Sequence, residues 1–138
     1  MTSVKDVMQK DIVSISVNET VSDAANYMKD KGVSALIVFR ERHALGIITE
    51  KDIVRRVVCE KKDPEKTRVG DVMSTPLIAI TPIASLEEAA DAFRRGKVKK
   101  LAVISGGVLE GIISVTDILA AETREIKAVS RYVELLSK

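Results

Sequence analysis

The sequence predicts an α/β (α+β) fold in which one small supersecondary module is used twice, and three observations carry that expectation. Shifted by 65 positions, the chain lies over itself without a gap from Val4 to Val54. Each copy passes through the same patterns: an amphipathic leader, a brief apolar run, a helix, two strand-like runs and a second helix. Helix-start patterns recur at matched places in both copies. A repeat unit of this size is one module used twice. Two such copies tend to pack with pseudo-two-fold symmetry, and the cleft between them can hold two similar sites. That organisation suits a binding module better than an enzyme with one asymmetric catalytic centre.

The leaders are Val4 to Met8 and Val69 to Met73, and the apolar runs that follow are Ile12 to Val17 and Leu77 to Thr81. The first helix of the second copy opens on Ser85-Leu86-Glu87-Glu88, a capping box in which the serine caps backbone N–H groups and the glutamate reaches back. Thr20-Val21-Ser22-Asp23 is the weaker equivalent in the first copy. Ala24, Ala25, Ala89 and Ala90 let these helices pack closely on a sheet, and Gly32 and Gly96 suit their ends. Val33 to Phe39 and Val98 to Ile104 are rich enough in apolar residues for strands covered on both faces. Glu41 to Ala44 and Ser105 to Gly107 are the turns, and Leu45 to Ile48 and Leu109 to Ile113 return as second strands. The second helices start at Thr49 and Ser114; the first runs to about Glu60, and Lys61 to Lys66, broken by Pro64, is the linker. In the second copy Ile118, Leu119, Ile126, Val129, Val133 and Leu136 extend an apolar helical stripe towards the C-terminus.

Bulk properties narrow the function classes. A chain of 138 residues suits one domain or two half-domains sharing a core. A formal net charge of +2 lacks the basic footprint that nucleic-acid binding leaves. No apolar run approaches the roughly 20 residues that span a bilayer, and Met1 to Asp6 lacks signal-peptide character, so the expected location is cytoplasmic, with no membrane partner. Cys59 is the single cysteine and is expected to be an inert packing residue, while His43 is the single histidine and falls in a turn. No metal-ligand spacing is present, and nothing arranges Ser, His and Asp as a catalytic triad.

The sharpest repeated motif is glycine, two apolar residues, Ser or Thr, two variable residues and Asp. It occurs as Gly46-Ile47-Ile48-Thr49-Glu50-Lys51-Asp52 and as Gly111-Ile112-Ile113-Ser114-Val115-Thr116-Asp117. With the paired leader Val-x-Asp-Val-Met, this resembles the CBS domain, the module named after cystathionine β-synthase, present as a tandem pair (a Bateman module). The resemblance covers residues 4–122 and implies two β-α-β-β-α repeats. On that reading residues 1–62 are the first repeat with the start of the linker, 63–123 the second, and 124–138 a C-terminal helix extension.

The resemblance further implies that adenosine-containing ligands bind in two clefts between the repeats: AMP, ADP or ATP first, with S-adenosylmethionine or NAD as further candidates, and no required cofactor. The motif Asp would take the ribose hydroxyls, and the Ser or Thr before it phosphate or ribose oxygens. One pocket then centres on Asp117 with Ile112, Ser114 and Thr116, completed by Asn18, Thr20, Val33, Ser34 and Ala35. The other centres on Asp52 with Ile47 and Thr49, completed by Pro82, Ser85, Val98, Lys99 and Lys100. Lysine is a poor core residue, so Lys99 and Lys100 at a strand mouth suit either phosphate binding or snorkelling to water. Lys51, Arg55 and Arg56 are further cations for a phosphate, or an exposed helix face.

A structural alternative competes at both aspartates, because Thr49 to Asp52 and Ser114 to Asp117 also fit capping boxes. The expected function is a non-enzymatic regulatory or energy-sensing module that binds an adenine nucleotide, forms a homodimer with help from the C-terminal helix, and acts on a regulated protein that the sequence leaves unspecified. An interaction scaffold with vestigial pockets, a nucleic-acid binder and an enzyme are the alternatives.

Overall fold

A computed structural model describes residues 2–122 and 134–137. In chain order the elements are α1 (Val4–Val7), β1 (Ser14–Ser16), α2 (Val21–Lys31), β2 (Ala35–Arg40), β3 (His43–Thr49), α3 (Glu50–Ile53) and a π-helical segment (Val54–Val58). There follow α4 (Val69–Val72), β4 (Ala79–Ile80), α5 (Leu86–Gly96), β5 (Lys100–Ser105), β6 (Val108–Ser114) and α6 (Val115–Glu122). The chain forms two units: residues 11–77, and the described parts of 1–10 and 78–138. Each unit holds one three-stranded mixed sheet, ordered β1-β2-β3 in one and β4-β5-β6 in the other.

In the unit of residues 11–77, β1 runs parallel to β2 with Ile15 opposite Val38, and β3 returns antiparallel with Ile48 opposite Leu36. Ala35 to Val38 are all buried, as a strand covered on both faces requires. Ile15, Val21, Ala24, Met28, Leu36, Val38, Ile48 and Val57 form the core. The other unit repeats the register, with Ala79 opposite Ala102 and Ile113 opposite Leu101. Its core gathers Ala89, Phe93, Leu101, Val103, Ile113 and Ile118. A bulge interrupts the antiparallel pairing at matched places, Val38/Phe39 and Val103/Ile104.

The leaders are exchanged. Val4, from the start of the first repeat, is fully buried in the core of the unit built on the second repeat. Val69 and Val72, from the start of the second repeat, are buried in the core built on the first. Backbone bonds fix both crossings: Val4 N–H donates to Ala84 and Lys5 N–H to Pro82, while Val69 N–H donates to Glu19 and Gly70 N–H to Val17. Packing therefore divides the chain after Lys10 and after Leu77, whereas the sequence repeats divide in the linker.

Several local expectations change. Thr20 and Asp23 close a complete capping box, with Thr20 N–H donating to Asp23 Oδ2 at 3.1 Å. Ser85 accepts from Glu88 N–H, but the longer Glu88 side chain folds onto the Ser85 hydroxyl, so this box is the less complete of the two. Gly32 ends α2 in the left-handed region at φ 65°, whereas after α5 that place is taken by Lys97 at φ 53°, one residue beyond Gly96. The first hairpin turn is only Glu41-Arg42, and His43 is already in β3, paired with Arg40. The helix after Thr49 becomes π-helical from Val54. Val57 takes its buried position there, which leaves Cys59 exposed rather than packed. Most of the expected extension 124–138, with Ile126, Val129 and Val133, lies outside the described residues; Leu135 and Leu136 are exposed.

Candidate functional site

The two motifs lie where an antiparallel strand gives way to a helix, β3 to α3 and β6 to α6. Thr49 ends its strand in an extended conformation, so its side chain and N–H both face the first helical turn. Thr49 N–H donates to Asp52 Oδ2 at 3.0 Å, and Asp52 N–H donates to Thr49 Oγ1 at 3.1 Å. Ser114 and Asp117 repeat this at 2.8 and 3.1 Å. Both aspartates thus close a capping box. The second carboxylate oxygen is held differently in the two units. Ser74 Oγ donates to Asp52 Oδ1 at 3.0 Å, and Gln9 Nε2 donates to Asp117 Oδ1 at 3.1 Å.

Gln9 and Ser74 occupy matched positions, each the residue after its leader, and neither is among the expected site residues. Antiparallel backbone bridges seat both: Gln9 exchanges N–H···O bonds with Ile112 at 2.8 and 2.9 Å, and Ser74 with Ile47 at 2.8 and 3.1 Å. The motif glycine makes the approach possible. A Cβ on Gly46 would lie 2.4 Å from the Ser74 carbonyl oxygen, and one on Gly111 would lie 2.7 Å from that of Gln9. The repeat marks only the place of Gln9 and Ser74, since the match of the leaders stops at Met8 and Met73 and an amide stands opposite a hydroxyl at the next position.

The units differ around this shared frame. Asp52 is buried at 7% exposure, whereas Asp117 is only half-buried, so the second carboxylate is the more accessible. Lys100 pairs with Ser114 across the sheet, and Lys99 accepts a backbone bond from Val115 N–H at 3.0 Å. These two lysines, expected to complete the Asp52 pocket, therefore stand instead at the strand end that carries Ser114 and Asp117, with neither side chain in an ion pair among the described residues. In the other unit Ala35 pairs with Thr49, and Ser34 accepts from Glu50 N–H at 3.0 Å. Ser34 and Ala35 thus stand beside Asp52.

The remaining expected residues divide the same way. Ile47 and Ile112 precede the motif Ile-Thr and Ile-Ser steps in β3 and β6. Thr20 and Ser85 cap α2 and α5. The Asn18 carbonyl accepts from Arg68, and that of Pro82 from Lys5. Val33 and Val98 pack against their own cores, and Thr116 is exposed on the first turn of α6. Ile112, Ser114, Thr116 and Asp117 share a unit with Pro82, Ser85, Val98, Lys99 and Lys100; Asn18, Thr20, Val33, Ser34 and Ala35 share the other with Ile47, Thr49 and Asp52. Arg56 donates to the carbonyls of Val72 and Met73 at 3.0 and 2.9 Å, clasping the end of α4 just before Ser74. Ala121 stands at the matched place in the second repeat, without such a donor.

A groove of about 660 Å³ lies along the outer edge of β1, lined among others by Tyr27, Lys31, Phe39 and Arg42, and none of the expected ligand residues borders it. There Tyr27 donates to Glu19 at 3.0 Å, and that carboxylate holds the phenol above its ordinary pKa. Glu19 also accepts from Ser16 N–H at 3.1 Å, which blocks one position of the strand edge. Among the described residues no group of three or more His, Cys, Asp and Glu is placed to hold a metal ion.

Comparison with known proteins adds a family. The profile of the CBS domain matches residues 4–59 and 69–124. The chain is 33% identical over 118 residues to the CBS domain-containing protein YhcV of Bacillus subtilis, covering 86% of this chain and 84% of that one. A candidate signal-transduction protein with CBS domains from Burkholderia ambifaria superposes with a TM-score of 0.85 at 28% identity, covering 90% and 96%. A hexameric CBS-CP12 protein from bloom-forming cyanobacteria superposes with a TM-score of 0.82 at 35% identity, covering 90% and 74%.

Proposed function

The chain belongs to the CBS-domain family as a tandem pair, and from that premise we propose that it is a non-enzymatic regulatory module that binds an adenine nucleotide, AMP, ADP or ATP, at the Asp117 motif and more weakly at the Asp52 motif. CBS domains as a family bind adenosine ligands. The observation that carries the reading is the surroundings of Asp117. An ionised carboxylate offers about four acceptor positions, and Asp117 uses one on each oxygen. Two remain, which matches the two hydroxyls of a ribose. Lys99 and Lys100 beside it supply charge for a phosphate.

Thermal denaturation with AMP, ADP, ATP, S-adenosylmethionine and NAD tests this. A ligand at a hundred times its dissociation constant should add about 2.7 kcal/mol of stability. Lys99→Ala and Lys100→Ala should weaken the phosphorylated ligands while leaving adenosine unchanged. One observation favours a scaffold with vestigial pockets instead: both aspartates already have partners within the chain. No shift with any of the five ligands would decide for the scaffold.

We also propose that copies of the chain associate, with a homodimer as the smallest assembly. The second helices leave Val54 and Val58, and Val115 and Leu119, substantially exposed. Exposed apolar residues four apart on each of these helices favour burial against another copy, since contiguous apolar surface marks interaction sites. Light scattering at micromolar concentration should give at least twice the chain mass of 15.1 kDa; a monomer mass would overturn the proposal. No helix among the described residues is long and apolar enough to cross a membrane.

A further inference from the structure

We propose that Gln9 and Ser74 are positioning residues that set the selectivity of the two sites for a cis-diol, the feature that separates ribose from deoxyribose; this rests on the nucleotide reading above. A carboxylate accepts two hydroxyls from one diol at the least ordering cost when its plane is already fixed. Each motif carboxylate is fixed at two points. The backbone N–H of Ser114 or Thr49 holds Oδ2, and the leader donor holds Oδ1. One acceptor position per oxygen is then left, in a set orientation. With the leader donor removed, the group keeps a single anchor and turns about its own bond, so the two positions are no longer held as a pair.

Three features mark the leader donors as placed rather than incidental. They stand at matched positions in the two repeats although their chemistry differs, an amide in one and a hydroxyl in the other. Each is held by a two-way backbone bridge to the residue after its motif glycine. And the glycine keeps open the space through which the leader passes. Each also lies in the leader of the opposite repeat, so each site is completed by chain from outside its own repeat.

The sites are read one at a time, the Asp117 site in the Asp52→Asn chain and the Asp52 site in the Asp117→Asn chain. Calorimetry then compares AMP with 2′-deoxy-AMP. With the leader donors intact, AMP should be preferred roughly 10- to 100-fold, the worth of one hydrogen bond to a charged acceptor. Gln9→Ala should reduce that preference at the Asp117 site to about threefold or less, with the affinity for 2′-deoxy-AMP little changed. Ser74→Ala should do the same at the Asp52 site, and Ser74→Thr, which keeps the hydroxyl, should restore the preference. General loss of structure would weaken both ligands alike and leave their ratio in place. Gln9 is exposed, so its replacement leaves the core intact, and melting temperatures of all variants check this. A ratio retained in both alanine variants, or no preference for AMP in the starting chains, overturns the inference alone. Absence of binding by either nucleotide overturns the nucleotide reading, and this inference with it.

Discussion

Asp117→Ala is expected to lower the affinity for AMP roughly ten- to a hundredfold, because the ribose hydroxyls lose a charged acceptor and such hydrogen bonds contribute about 1.5–3 kcal/mol. The same change removes a helix cap, since Asp117 Oδ2 accepts from Ser114 N–H. A stability loss of about 1 kcal/mol therefore accompanies it whatever else the residue does. Stability alone thus does not separate a ligand residue from a cap, and affinity does. Asp117→Ala with lowered melting temperature and unchanged AMP affinity would leave the residue as a cap only. Asp52→Ala provides the contrast. Its carboxylate is buried and held by Ser74, so its removal should cost more stability and, at the weaker site, change nucleotide binding less.

The parts of this arrangement that were legible in the sequence are those set by near neighbours along the chain. The helix starts at Thr49 and Ser114 follow from a Ser or Thr and an Asp three residues apart, a spacing that closes a capping box in both units. The buried strand Ala35 to Val38 follows from an unbroken apolar run. What depends on distant chain was not legible. The offset of the repeats shows that two leaders match, but not which body each packs against, and Val4 and Val69 are equally apolar in either place. Gln9 and Ser74 gained their positions from that exchange, and their side chains share no residue type through which a repeat comparison would pair them. Arg56 reads as one more cation on a charged helix until Val72 and Met73 are brought beneath it. Lys97 and Glu41 adopt left-handed backbone without being glycine, because the surrounding helix end and hairpin set their conformation, which residue preference alone does not reveal.

The motif glycine makes the strongest stability forecast. In Gly46→Ala the new Cβ would meet the Ser74 carbonyl oxygen at 2.4 Å and Thr75 Cγ2 at 2.8 Å. The first obstacle is backbone, which no rotamer change relieves. The leader must move, and with it go the Ile47–Ser74 bridge and the Ser74 hydroxyl at Asp52. Overpacking of this kind costs about 1–3 kcal/mol, and the lost bonds bring the expected total to roughly 2–4 kcal/mol. For a chain of this length that lowers the melting midpoint by roughly 6–15 °C. Gly106→Ala is the control. Gly106 has nothing within 4 Å of a Cβ but sits at φ 56°, so its cost is backbone strain alone, about 1 kcal/mol. The Arg56 clasp on Val72 and Met73 sharpens the test, since it anchors the leader at the point from which Gly46→Ala would push it away. Equal melting shifts for the two alanine variants would mean that the leader yields for about 1 kcal/mol rather than roughly 2–4, and that the glycine of the motif is not there to admit it.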